Sequence, residues 1–147
     1  MASSTKKIIL FSITILILSG MAIGYYMYNK GPLDVQSAKG TPVSANELYN
    51  IFSTDSLLAK KKFTGKVVEV SGEISEISSN LQQQKVVLVK TAAEGAHINC
   101  TLEEPANQLT TNQKITIKGI ASGIGQGDAD LGIMGDVYLT RCYVVQP

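Results

Sequence analysis

The sequence is short of the residues from which most active sites and metal centres are assembled. It has no tryptophan, one histidine and two cysteines in 147 residues, and aromatic residues make up 6 % of it. His97 therefore has no second histidine to work with, and no Gly-x-Ser-x-Gly elbow supplies a nucleophile, so it reads as a solvated histidine at a strand end. Two cysteines and one histidine at unrelated spacings do not make a zinc site. No cysteine follows the N-terminal apolar run, which excludes a bacterial lipoprotein anchor. No catalytic constellation and no cofactor motif is present, and the reading is that the chain is not an enzyme.

Basic charge is also scarce where it would matter. The net charge of +1 conceals a split. Residues 1–30 carry Lys6, Lys7 and Lys30 and no acid, whereas residues 31–147 hold ten bases against twelve acids, a net charge of −2. Such a domain gives no general reason to expect a polyanionic partner. The one basic cluster, Lys60-Lys61-Lys62 with Lys66, could touch phosphates of nucleic acid or lipid, or simply occupy a helix C-terminus whose dipole favours cations. Only Tyr138 and Tyr143 lie on a strand suited to base stacking. Their spacing puts them on opposite faces unless a bulge intervenes.

What is abundant is apolar, and it comes first. From Ile8 to Tyr28 there is no charge, and the run is dense in Ile and Leu. At about 1.5 Å per residue a helix of this length spans a hydrocarbon core of roughly 30 Å. Lys6 and Lys7 precede it, and Tyr25, Tyr26 and Tyr28 crowd its far end, where amphipathic rings favour the interface. Residues 1–30 are thus expected to be a membrane anchor with its flanks. The competing reading is a cleaved signal peptide with Gly20 and Ala22 before the cut, against which the apolar run continues past that point. The lysine balance favours a cytoplasmic N-terminus and a periplasmic or extracellular domain.

Residues 31–43, with Gly31, Pro32, Gly40 and Pro42 and no periodicity, read as a linker. Ser44 and Glu47 form a capping box, and Leu48, Ile51, Phe52, Leu58 and Ala59 follow at helical spacing, which predicts a helix or helix pair over 45–62 with Asp55 as a fresh cap. The rest is strand and turn. Lys66–Ile74 alternates as a first strand, with Gly72 marking a bulge or sharp bend. Ser78–Asn80 and a glutamine run form a hairpin loop. Further strands are expected at Lys85–Lys90, His97–Leu102, Lys114–Ala121 and Asp136–Val145, with 103–112 as a short helix or loop and 123–135 as a glycine-rich, mobile hairpin loop. Five strands with a connection of about ten residues between the third and fourth fit an OB-fold barrel.

Ser44–Tyr49, Lys61–Gly72, Ile98–Cys100, Ile115–Gly119 and Asp136–Cys142 together resemble the tRNA-anticodon-like OB-fold family, small bacterial proteins that are often membrane-anchored or exported. The resemblance covers about 44–145, so residues 44–147 are read as one mainly-β OB-fold domain with a leading helix. It implies the fold, and no catalytic residues.

Cys100 and Cys142 are a candidate disulfide, because the third and fifth strands of such a barrel are neighbours. The alternative is a pair of buried free thiols. Alternation from Leu139 puts Cys142 on the outer face, so a core position requires a bulge near Thr140. Gly123-Ile-Gly125-Gln-Gly127 lacks the Lys-Ser/Thr of a phosphate loop, and Asp128-Ala-Asp130 lacks the downstream Glu of a calcium loop. The candidate ligand contacts are Lys62, Lys66, Gly125, Gly127, Tyr138 and Tyr143. The expected function is non-catalytic binding of a protein or an oligosaccharide through the barrel face and the 123–135 loop, with the membrane engaged through residues 8–28. Nucleic acid, tRNA or single-stranded, is the alternative ligand if the domain is cytoplasmic, and is disfavoured otherwise.

Overall fold

Val68 and Val70 are fully buried and are followed by half-buried Glu69 and exposed Ser71, so from Val68 the strand they belong to turns one face inward. In the computed structural model this strand, β2, runs from Val67 to Ser79. The structure describes residues 2–31, 33–106, 108–128 and 130–145. β2 is long enough to serve two sheets. Its first half pairs antiparallel with β5 (Lys114–Ile124), with Val70 opposite Ile117. Its second half pairs antiparallel with β3 (Lys85–Lys90), with Ser78 opposite Val86. β4 (His97–Leu102) follows β3, and β6 (Val137–Val145) runs parallel to β4 and antiparallel to β5, which closes a five-stranded barrel. This is the OB-fold architecture expected from the sequence.

Several boundaries differ from the expectation. β2 ends at Ser79 rather than Ile74, so Ser78 and Ser79 are strand and the loop begins at Asn80. There the Asn80 carboxamide oxygen accepts from the amides of Gln82 (3.0 Å) and Gln84 (2.9 Å), a side-chain turn that costs no ladder bonds. The bend is not at Gly72 but between Ile74 and Glu76, where the β2–β3 register shifts. Gly72 serves close packing instead: a Cβ there would lie 2.3 Å from Val89 Cγ1 and 3.1 Å from Ala45 Cβ. β5 continues past Ala121 to Ile124, and no helix forms among the described residues of 103–112.

The linker is shorter than expected. Val35 is buried, and Thr41–Ser44 forms a strand, β1, parallel to β2 with Val43 opposite Val70. Proline and glycine masked this in the sequence, since neither the alternation nor the length of a strand is legible in Thr-Pro-Val-Ser. Pro32 lies outside the described residues. By contacts the chain divides into residues 1–34 and 35–147.

The helix pair forms as the caps dictate. α2 (Ala45–Thr54) starts where Ser44 Oγ accepts from the Glu47 amide at 3.2 Å, and α3 (Ser56–Lys62) where Asp55 Oδ1 accepts from the Leu58 amide at 2.9 Å. Leu48, Tyr49 and Phe52 of α2 join the barrel core of Val68, Val70, Ile74, Val87, Val89, Ile98 and Ile117. In the other unit, α1 (Ala2–Asn29) contains a stretch, Lys6–Asn29, long and apolar enough to cross a membrane, a form shared by anchors and signal sequences.

Candidate ligand-binding face

The outer face of the barrel is set by a bulge in β6. Thr140 is opposite Ile120 and Tyr143 opposite Lys118, so three residues on β6 span two on β5. Arg141 takes up the extra residue with φ +52°, the left-handed region that L-residues seldom adopt. Leu139 and Cys142, three apart, therefore both reach the core, and Tyr138 and Tyr143 both stay outside it. The bulge that a buried Cys142 demands is thus present one residue beyond Thr140. Cys100 is opposite Leu139 and Cys142 opposite Leu102, an offset of two residues between parallel strands. Both thiols are free and buried. Hydrogen-bonding contact with Cys142, together with burial, pushes the Cys100 thiol well above its usual range.

Pairing places Glu76, Leu88, Asn99 and Tyr138 in one row across β2, β3, β4 and β6. Alternation with buried Val87, Val89, Ile98, Cys100, Val137 and Leu139 turns that row outward. Tyr138, 44 % exposed, lies at its end beside the hairpin of residues 125–136. Here glycine is needed for close approach: the Gly125 amide donates to Asp136 O at 2.8 Å, and a Cβ on Gly125 would lie 2.8 Å from Tyr138 Cε2. Gly127 is packed against Ile133 O in the same way. Asp128 and Ile133 exchange both backbone bonds at 2.8 Å, and Asp128 Oδ1 accepts from the amides of Asp130 and Leu131. The carboxylate that resembled a calcium ligand thus holds its own turn. Among the described residues no group of three His, Cys, Asp or Glu is placed to hold a metal ion. The hairpin leaves Leu131, Ile133 and Met134 exposed, Leu131 by 71 %.

Three basic side chains of the sheet, Lys85, Lys90 and Lys118, are engaged. Lys90 Nζ lies 2.6 Å from Glu73 Oε1 and donates to Asn112 Oδ1 at 2.8 Å. Lys118 Nζ donates to Ala38 O at 3.0 Å and stands 3.4 Å from Glu69 Oε1. Lys85 Nζ donates to Ala106 O at 2.9 Å. His97 is not simply solvated: its amide donates to Asp136 Oδ1 at 2.9 Å, and its Nδ1 lies 3.5 Å from the same oxygen.

The residues singled out in the sequence do not form one site. Gly125, Gly127 and Tyr138 come together. Lys62 and Lys66 stand apart, at the end of α3 and beside Ala121 of β5. Tyr143 lines a separate groove of 1110 Å³ with Ser71, Thr116, Lys118 and Leu109. Sequence reasoning named none of Leu88, Asn99, Leu131, Ile133 and Met134 individually, although the last three lie in the 123–135 loop expected to be a contact surface. One signal was available: Val86 to Val89 is an unbroken apolar run, which marks a strand with an apolar outer face as well as an inner one.

Two of the solved structures that match this chain are as follows. One is a candidate nucleic acid-binding lipoprotein from Klebsiella pneumoniae, 18 % identical with a TM-score of 0.54, the match covering 79 % of this chain and 100 % of that one. The other is a candidate aspartyl-tRNA synthetase from Leishmania major, 8 % identical with a TM-score of 0.42 over 79 % of this chain and 23 % of that one. Among curated proteins no sequence match reaches significance. The family model described as tRNA_anti-like matches residues 1–130, from the apolar helix to within the hairpin before β6, and the chain belongs to that family.

Proposed function

We propose that the chain is a non-catalytic binding module, anchored through residues 8–28 with its barrel on the periplasmic or extracellular side. It recognises a protein partner through the Glu76–Leu88–Asn99–Tyr138 row and the adjoining hairpin. One observation carries this reading: the hairpin, whose base at Gly125 packs close to Tyr138, presents Leu131, Ile133 and Met134 to solvent. Exposed apolar side chains on a hairpin that meets an exposed aromatic ring at its base suit burial against another protein. They offer little to an oligosaccharide, whose hydroxyls call for polar partners.

The test is a photo-crosslinking residue at Met134 or Leu131 in the full-length anchored chain. A discrete protein adduct that is absent with the crosslinker at Lys114 supports the reading. Adducts equally diffuse at all three positions overturn it. A reporter fused to the C-terminus checks the side of the membrane independently.

Similarity in fold to a protein named for nucleic-acid binding motivates a second reading, in which the same face takes tRNA or a single strand. Nonspecific nucleic-acid affinity draws on several lysine–phosphate contacts, and stacking adds roughly 1–3 kcal/mol per base. Here Lys85, Lys90 and Lys118 already have partners, and the two tyrosines occupy different surfaces. Fluorescence anisotropy with labelled tRNA and oligo-dT is expected to give dissociation constants no tighter than about 10⁻⁴ M. Micromolar binding with a steep salt slope would put the second reading first.

A further inference from the structure

Helix α3 exposes leucine where a solvated helix carries polar groups. Leu57 is 79 % and Leu58 49 % exposed, whereas Ala59 is fully buried and marks the side that packs. At 100° per residue Leu57 and Lys61 project away from Ala59, with Leu58 on one flank and Lys60 on the other. Lys66 Nζ donates to Lys61 O at 3.0 Å, which folds a further ammonium into the group, and Lys62 Nζ lies 5.1 Å from the centroid of the Phe63 ring. The nearest acid in the helix pair, Asp55, is engaged with the Leu58 amide. Four lysines thus lie close in sequence to two exposed leucines, within residues 31–147 whose net charge is −2.

A helix dipole accounts for cations in the last turn and says nothing of Leu57 and Leu58. A nucleic acid would use the lysines but gain no stacking from aliphatic side chains. An anionic bilayer uses both: leucines enter the boundary between headgroups and acyl chains, while ammonium groups meet the phosphates. Chain length bears on this too. Residues 30–34 are all that separate α1 from Val35, the first buried residue of the domain. The six Cα steps from Asn29 to Val35 reach at most about 22 Å.

We propose that Leu57, Leu58, Lys60, Lys61, Lys62 and Lys66 form a docking patch for an anionic lipid surface. The proposal rests on the reading of α1 as a retained span. Each lysine near such a surface contributes roughly fivefold to partitioning, and salt screens the contribution.

The full-length chain, reconstituted in nanodiscs of phosphatidylcholine with or without phosphatidylglycerol, is exposed to a water-soluble lysine-acetylating reagent. Residue-resolved mass spectrometry then reports the rate at each lysine. Lys60, Lys61, Lys62 and Lys66 are expected to react at least about fivefold more slowly in the anionic discs, with Lys114 unchanged. High salt and the paired substitution Leu57→Asp and Leu58→Asp should each remove most of the protection, the variant keeping the wild-type Tm because both side chains are exposed. Equal rates in the two lipids overturn the proposal, as does protection of these lysines by oligo-dT in detergent without lipid. If the chain leaves the phosphatidylcholine discs, it is the anchor that has failed. The patch is then judged by sedimentation with phosphatidylglycerol vesicles, where binding abolished by the aspartates supports it and no binding overturns it.

Discussion

β6 and the hairpin that feeds it are consecutive in sequence and opposite in what holds them. β6 delivers Val137, Leu139 and Cys142 to the barrel core, so hydrophobic burial fixes its path, down to a left-handed Arg141 that keeps both Leu139 and Cys142 inside. None of the described residues 125–136 is buried. The hairpin is held by backbone bonds between Asp128 and Ile133, by the Asp128 carboxylate and by glycines where the backbone passes close to itself. A segment held this way can change its outward side chains without disturbing the core, which is what a recognition surface on a conserved-shape barrel requires.

That division can be broken from the core side first. Val70→Asp should unfold residues 35–147, because an unpaired charge on the central strand costs several kcal/mol against a typical stability of about 5–15 kcal/mol. Loss of a cooperative melt would show it, and a variant melting near the wild-type temperature would place Val70 at the surface. A smaller effect is expected of Gly72→Ala. Its methyl would press on Val89 at 2.3 Å, and overpacking of this kind costs about 1–3 kcal/mol, a fall in Tm of roughly 5–15 °C.

The thiol pair tests the core more gently. The Cys100 thiol is raised in the folded state, so the folded protein holds its proton at a pH where the unfolded chain has released it. Stability from this source is full below about pH 8.5 and declines as pH rises above it. Denaturant melts across that range should show a decline that Cys100→Ala lacks.

On the hairpin side, Leu131→Ser and Met134→Ser should change stability by no more than about 0.5 kcal/mol, since both side chains are exposed. Partner crosslinking at Tyr138 should nevertheless fall sharply. A large loss of Tm in these variants would mean that the hairpin is part of the core and not a surface laid over it.

The strands that alternate cleanly were legible from sequence because a half-buried strand must repeat every two residues: Lys85–Lys90 and His97–Leu102 have the expected bounds, and the caps at Ser44 and Asp55 start the helices they announce. The apolar run of α1 was legible for a different local reason, as length and composition alone make it long enough to span a bilayer. Contacts between distant segments were not. β1 pairs with β2 through backbone groups that every residue carries, so Thr-Pro-Val-Ser held no sign of it. The row of Glu76, Leu88, Asn99 and Tyr138 exists only because three inter-strand registers coincide, and a register is a property of two strands together. Sequence alone thus determined the barrel strands, the caps and the apolar helix, through local periodicity, capping residues and composition. Which lysines are engaged, which leucines are left exposed and which residues share a face was decided by tertiary packing, because each depends on partners tens of residues away.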